Sequence, residues 1–108
     1  LYLRSVGAFG NQGGKLVTDG ALDLGSGVPD NSQRGTISSK GLLKLTTGDF
    51  DNSQNGRVST SDRLELTTAK LTNSSGGSIG SSQAMTASVS RLDQQKGTLF
   101  SNTSLSLD

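Results

Sequence analysis

The sequence predicts an all-β chain wound as a right-handed parallel β-helix, a solenoid of about 21 residues per coil and about five coils. Three observations predict it. A step of 21 residues brings Leu1, Leu22, Leu43, Leu64 and Met85 into one column and Leu3, Leu24, Leu45, Leu66 and Ala87 into a second. The same step aligns Gly14, Gly35, Gly56 and Gly77, and also Leu16, Ile37, Val58 and Ile79. Within each unit the Leu-x-Leu pairs alternate with period two, as a strand with one buried face does, and no stretch carries a helical period. Finally, a few inward side chains cannot offset the entropy of ordering one unit alone, whereas units stacked in register pair every strand above and below.

In chain order, each unit opens on a strand: Leu22-Asp23-Leu24, Leu43-Lys44-Leu45, Leu64-Glu65-Leu66 and, last, Leu105-Ser106-Leu107. A polar segment follows, ending on a third inward point at Pro29, Phe50, Leu71 and Leu92, immediately before the Asp-Asn pair or its equivalent. A turn comes next, in which Asn55-Gly56 and Gly76-Gly77 are expected to supply the positive φ that tight turns require. A second short strand with one inward residue closes the unit, as in Thr36-Ile37-Ser38, Arg57-Val58-Ser59, Ser78-Ile79-Gly80 and Thr98-Leu99-Phe100. Asn11 to Gly14 and Gln94 to Gly97 are each one residue shorter than Asn52 to Gly56. Length is therefore expected to vary in the turn and not in the Leu-x-Leu strand. The chain opens at Leu1 and stops at Asp108 in mid-unit, so residues 1–108 read as one β-helical segment of a much longer solenoid. Right-handed coiling extends the crossover rule of parallel sheets.

Composition agrees with a narrow core. A hydrophobic fraction of 30%, 15 glycines and 4% aromatic residues are thin for a globular interior. Ten basic and nine acidic residues spread along the chain leave no electrostatic footprint for nucleic acid or an anionic membrane. There is no cysteine and no histidine, hence no disulfide framework, thiol chemistry or imidazole site. No apolar run approaches the roughly 18 residues of a membrane span.

The columns also hold the candidate sites. Asn31, Asn52, Asn73 and Gln94 form an amide column whose side chains would hydrogen-bond to one another one coil apart, alongside the leucine ladder Leu24, Leu45, Leu66 and the glycine ladder Gly35, Gly56, Gly77. Asp30 and Asp51 stand one rung apart, near the roughly 5 Å spacing of a retaining glycosidase pair and suited to calcium. Capping turn N–H groups is the simpler use, since Thr72 interrupts the acidic column. Asp23, Lys44 and Glu65 alternate in sign outward, and Asp49 stands beside Lys70, as register-selecting pairs. Thr46 and Thr67, and Thr47 and Thr68, read as solvated β-formers. Asn73-Ser74-Ser75 and Asn102-Thr103-Ser104 match the N-glycosylation sequon, a match expected by chance in so Ser- and Asn-rich a chain. No nucleophile elbow or phosphate loop is present, so catalytic, metal and cofactor residues are expected to be none.

The unit Leu-x-Leu followed by Leu/Phe-Asp-Asn-x-x-x-Gly-x-Val/Ile resembles the repeat of filamentous haemagglutinins. These are large exoproteins of Gram-negative two-partner secretion systems, including adhesins and contact-dependent growth inhibition proteins. The resemblance covers essentially the whole chain, with departures at Pro29, Thr72 and Gln94. It implies a secreted or cell-surface shaft that works by length and stiffness, exported by a dedicated outer-membrane partner, with any host or target-cell receptor met elsewhere on the protein. Beside the shaft stand two other readings. One is a glycan- or receptor-binding module, which needs clustered exposed aromatics where Tyr2, Phe9, Phe50 and Phe100 are scattered. The other is a polysaccharide lyase or hydrolase, for which only Asp51, Arg34 and Arg57 come near one another.

Overall fold

The computed structural model describes residues 2–93 and 96–107. Leu1 of the first leucine column, Gln94 of the amide column and the side chain of Leu107 lie outside that description. Among the described residues the chain forms eleven strands and no helix. Long strands β1 (Tyr2–Gly10), β3 (Leu22–Asp30), β5 (Leu43–Asp51), β7 (Leu64–Thr72) and β9 (Met85–Asp93) alternate with short strands β2 (Lys15–Thr18), β4 (Thr36–Ser39), β6 (Arg57–Thr60), β8 (Ser78–Ser81) and β10 (Thr98–Ser101), and β11 (Leu105–Leu107) closes the series. The odd strands stack into one parallel sheet in the order β1-β3-β5-β7-β9-β11, and the even ones into a second in the order β2-β4-β6-β8-β10. Each coil thus contributes one strand to each sheet, which is the architecture of a parallel β-solenoid.

Register follows the sequence columns. Leu22, Leu43, Leu64 and Met85 are consecutive partners, as are Leu24, Leu45, Leu66 and Ala87 in the same sheet and Ile37, Val58 and Ile79 in the other. All of these are buried between the two sheets, with Phe50 and Leu71, and form a single narrow core. Parallel stacking lines like residues against like, so one apolar residue per column is enough to make a continuous ladder. Leu92 shares the column of Phe50 and Leu71 yet is 40% exposed. The described part of β11 partners only Met85–Ala87 and does not extend over it.

The long strands differ from the short Leu-x-Leu strand expected. The strand runs nine residues, from the first leucine to the Asp position, and the intervening polar segment is part of it. In β5 the inward side chains are Leu43 and Leu45, then Thr47, and then Phe50. The alternation therefore skips one place across Gly48–Asp49, where the strand bends around the core. A bend inside a paired strand leaves the local sequence polar, which is why periodicity alone reads it as a linker. Length also varies in this strand: between Ser5 and Ala8, β1 carries a bulge of one extra residue, which offsets the short turn from Asn11 to Gly14. The shorter turn before Gly97 has no such compensation, and β10 pairs with β8 at a spacing of 20 residues instead of 21.

Candidate functional site

Two polar corners join the sheets, and the first is built on asparagine. Asn11 Nδ2 donates to Asn31 Oδ1 at 2.7 Å, Asn31 Nδ2 to Asn52 Oδ1 at 2.8 Å, and Asn52 Nδ2 to Asn73 Oδ1 at 2.9 Å. The second amide hydrogen of each residue reaches across the corner to the carbonyl of the first residue of a short strand. These carbonyls belong to Thr36 (3.0 Å), Arg57 (3.0 Å), Ser78 (3.1 Å) and Thr98 (2.9 Å), for Asn11, Asn31, Asn52 and Asn73 respectively. Asn31, Asn52 and Asn73 are fully buried. A carboxamide has two donors and an acceptor, and here the two hydrogens are used differently. One links successive coils, and the other ties the long-strand sheet to the short-strand sheet. Asn11 extends the chain of amides by one rung beyond the column drawn from the 21-residue step. It stands 20 residues before Asn31, because the β1 bulge displaces it.

The glycines of this corner work by close approach. A Cβ on Gly56 would lie 2.7 Å from Asn52 Oδ1 and would also strike the Asn31 carbonyl, and Gly35 and Gly77 are hemmed in the same way. Gly56 and Gly77 do not have positive φ. The left-handed positions of these three turns are Gln33 and Arg34, Gln54 and Asn55, and Ser75 and Gly76, with φ between 51° and 86°. Of the two dipeptides expected to supply positive φ, only the first member of each does so. The second is glycine because the amide ladder occupies the space a side chain would need.

Asp30 and Asp51 are partners across β3 and β5. Each caps its own turn: Asp30 Oδ1 accepts from the Ser32 amide (3.0 Å) and hydroxyl (2.6 Å), and Asp51 Oδ1 from the Ser53 amide (3.0 Å) and hydroxyl (2.7 Å). Gln12 Nε2 donates to Asp30 Oδ2 at 2.6 Å. Among the described residues no group of three or more His, Cys, Asp or Glu side chains is gathered around a metal-sized site. Arg34 sits in a turn and Arg57 starts β6, both exposed. Asp23, Lys44 and Glu65 fall in one row, as do Asp49 and Lys70. The amide nitrogen of Asn73, in one sequon, is used inside the ladder, whereas Asn102, in the other, is exposed.

The second polar corner was not singled out by the sequence. Ser39, Thr60 and Ser81, at the ends of β4, β6 and β8, are buried in one column. Ser39 Oγ bonds Thr60 Oγ1 at 3.1 Å and donates to the Gly41 carbonyl at 2.9 Å. Thr60 Oγ1 lies 2.6 Å from that same carbonyl, and Ser81 and Ser101 both donate to the Gln83 carbonyl. The signal was present as a hydroxyl every 21 residues, hidden in a chain where hydroxyls abound. Thr47 and Thr68 also face inward, unlike the solvated Thr46 and Thr67. They occupy the bend of the long strands, where Thr68 Oγ1 donates to the Gly48 carbonyl at 2.6 Å.

This geometry offers ladders and caps. No curated protein and no solved structure matches the chain. The model of the haemagglutinin repeat family does match, over residues 5–68 and again over residues 51–108. Two overlapping matches along one stack of equivalent coils, together spanning residues 5–108, show that the chain belongs to the haemagglutinin repeat family.

Proposed function

We propose that this chain is a shaft segment of a large secreted or surface-exposed filamentous haemagglutinin-like exoprotein, serving adhesion or contact-dependent growth inhibition, without catalysis of its own. In this reading it is one stretch of a much longer solenoid, exported through an outer-membrane partner, and any receptor is met elsewhere on the protein. The observation that carries the reading is the amide chain from Asn11 to Asn73, in which every coil presents the same donor to the next. A unit so built propagates by adding copies of itself, and its product is length and stiffness. Family membership supports a secreted or surface setting. No helix among the described residues is long and apolar enough to cross a membrane.

Duplicating residues 43–63 in register should lengthen the particle by about 4.8 Å in small-angle scattering and raise its melting temperature. A protein that gains neither, and that binds one glycan specifically as a concentration-independent monomer, would overturn the shaft reading. That outcome would favour the second reading, a glycan- or receptor-binding module, for which one groove speaks. This cleft of about 220 Å³ on the short-strand sheet is lined by Arg57, Ser59, Ser78, Phe100 and Asn102. Its Phe100 ring is 48% exposed and lies over Gly80. A glycan panel run on the parent and on Phe100→Ala separates the two readings.

A further inference from the structure

The coils are equally close but not equally paired along the backbone. Between β5 and β7 the register runs from Leu43↔Leu64 to Asp51↔Thr72 with one step missing at the bend, Gly48 opposite Ala69. Between β3 and β5 it stops at Ser26↔Thr47 and resumes only at Asp30↔Asp51, so Gly27, Val28 and Pro29 have no partners in β5.

Two features of the sequence account for the gap. Gly25 and Gly27 place two flexible residues in this stretch of β3. Pro29 falls where a donor is needed: the Asn52 amide donates to the Thr72 carbonyl of the following coil, and the same strand phase aims the Phe50 amide that way too. At Pro29, the equivalent residue one coil earlier, there is no N–H to give to Asp49. The two backbones nonetheless stay in close approach there, since a Cβ on Gly48 would lie 2.5 Å from the Gly27 carbonyl.

The side chains show the same defect. Ser26 Oγ donates to the Gly7 carbonyl and Thr68 Oγ1 to the Gly48 carbonyl, each one coil back. Thr47 Oγ1, between them in the column, is buried and finds no partner among the described residues. A cleft of about 110 Å³ opens beside the gap, lined by Val28, Asp49, Phe50, Asp51, Lys70 and Thr72.

We infer that Gly27–Pro29 is a built-in flex point, where the second and third coils lie close but lack ladder pairing at one bend while the amide ladder and the leucine columns hold them together elsewhere. A stack joined on three other lines opens there without unfolding, so the solenoid bends at this coil first.

Amide-resolved hydrogen exchange on the full chain tests this. The strand phase aims the Asp49 amide at the second coil and the Lys70 amide, its equivalent, at the third. Asp49 should exchange at least about tenfold faster than Lys70 in the parent. Pro29→Leu introduces the residue found at positions 71 and 92 of the column, restores a donor, and should slow Asp49 to within about threefold of Lys70. Equal protection of Asp49 and Lys70 in the parent would overturn the inference. So would a Pro29→Leu variant, folded by its circular dichroism, in which Asp49 still exchanges at the parental rate.

Discussion

The asparagine corner and the hydroxyl corner hold the same two sheets together by different chemistry. Each side-chain amide carries two hydrogens and an acceptor, so Asn31 can bond Asn52 and still spend its other hydrogen on the Arg57 carbonyl. A hydroxyl has one hydrogen, and Ser39, Ser81 and Ser101 use theirs on turn carbonyls two residues on or one coil back. The amide corner therefore runs as one chain through successive coils, while the hydroxyl corner is a series of local closures. Residue choice tracks this difference. The amide column admits only Asn from Asn11 to Asn73, and its neighbouring column only Gly, whereas Ser and Thr interchange at 39, 60 and 81. Cooperative polarisation along a hydrogen-bonded chain adds to the asymmetry.

Substitutions at the two corners should separate them, and the largest effect is expected at the amide chain. Asn52→Asp removes a buried donor and places a carboxylate between Asn31 and Asn73 and beside Asp51, which should cost about 3 to 5 kcal/mol at pH 7. Burial and the neighbouring acid raise the folded pKa of the new group above its unfolded value of about 3.9. The protonated form is then favoured by folding. Stability is accordingly recovered below about pH 4 and lost as pH rises through the folded pKa. Denaturant melts between pH 3 and 8 check this, and a variant as stable as the parent at pH 7 would show that the amide chain contributes nothing.

Next in size is the glycine column. Gly56→Ala should destabilise by about 2 to 3 kcal/mol through overpacking against Asn52 Oδ1 and the Asn31 carbonyl. Asn55→Gly, at the position with φ of 66°, should stay within about 1 kcal/mol of the parent. Reversed magnitudes in paired thermal melts would return the glycine to a role in backbone conformation.

At the hydroxyl corner, Thr60→Ala loses contacts to Ser39 Oγ and the Gly41 carbonyl and leaves the Asp62 amide without its acceptor. A cost of about 1 to 2 kcal/mol is expected, because the closures on either side remain intact. A loss equal to that of Asn52→Asp would mean that the two corners do not differ as described. The smallest effect is expected at the bend: Thr47→Val removes a buried hydroxyl with no partner and copies Val89, which already occupies the same column. It should be neutral or stabilising by up to about 1 kcal/mol, read as a small rise in melting temperature.

Much of the fold was legible because a solenoid repeats its instructions. Leu24, Leu45 and Leu66 are 21 residues apart, and stacking one coil on the next turns that separation into direct contact. What escaped had either no repeat contrast or a displaced register. The hydroxyl column was masked by the many other Ser and Thr residues, and the cause of the one-residue slip at Asn11 is a bulge that only strand pairing exposes. The inward turn of Thr47 and Thr68 follows from the bend in the long strand. In a straight continuation of the polar segment the same residues read as solvated.

By itself, the sequence determined the parallel stack, its period and its leucine and asparagine columns, because identical residues at a constant step are what in-register pairing requires. Only the tertiary structure decided what each polar atom does. Whether Gly56 serves φ or makes room, whether Asp51 meets a ligand or caps Ser53, and whether Thr47 meets water or the core are set by groups about 21 residues or one sheet away. Those distances come into being when the coils close on one another.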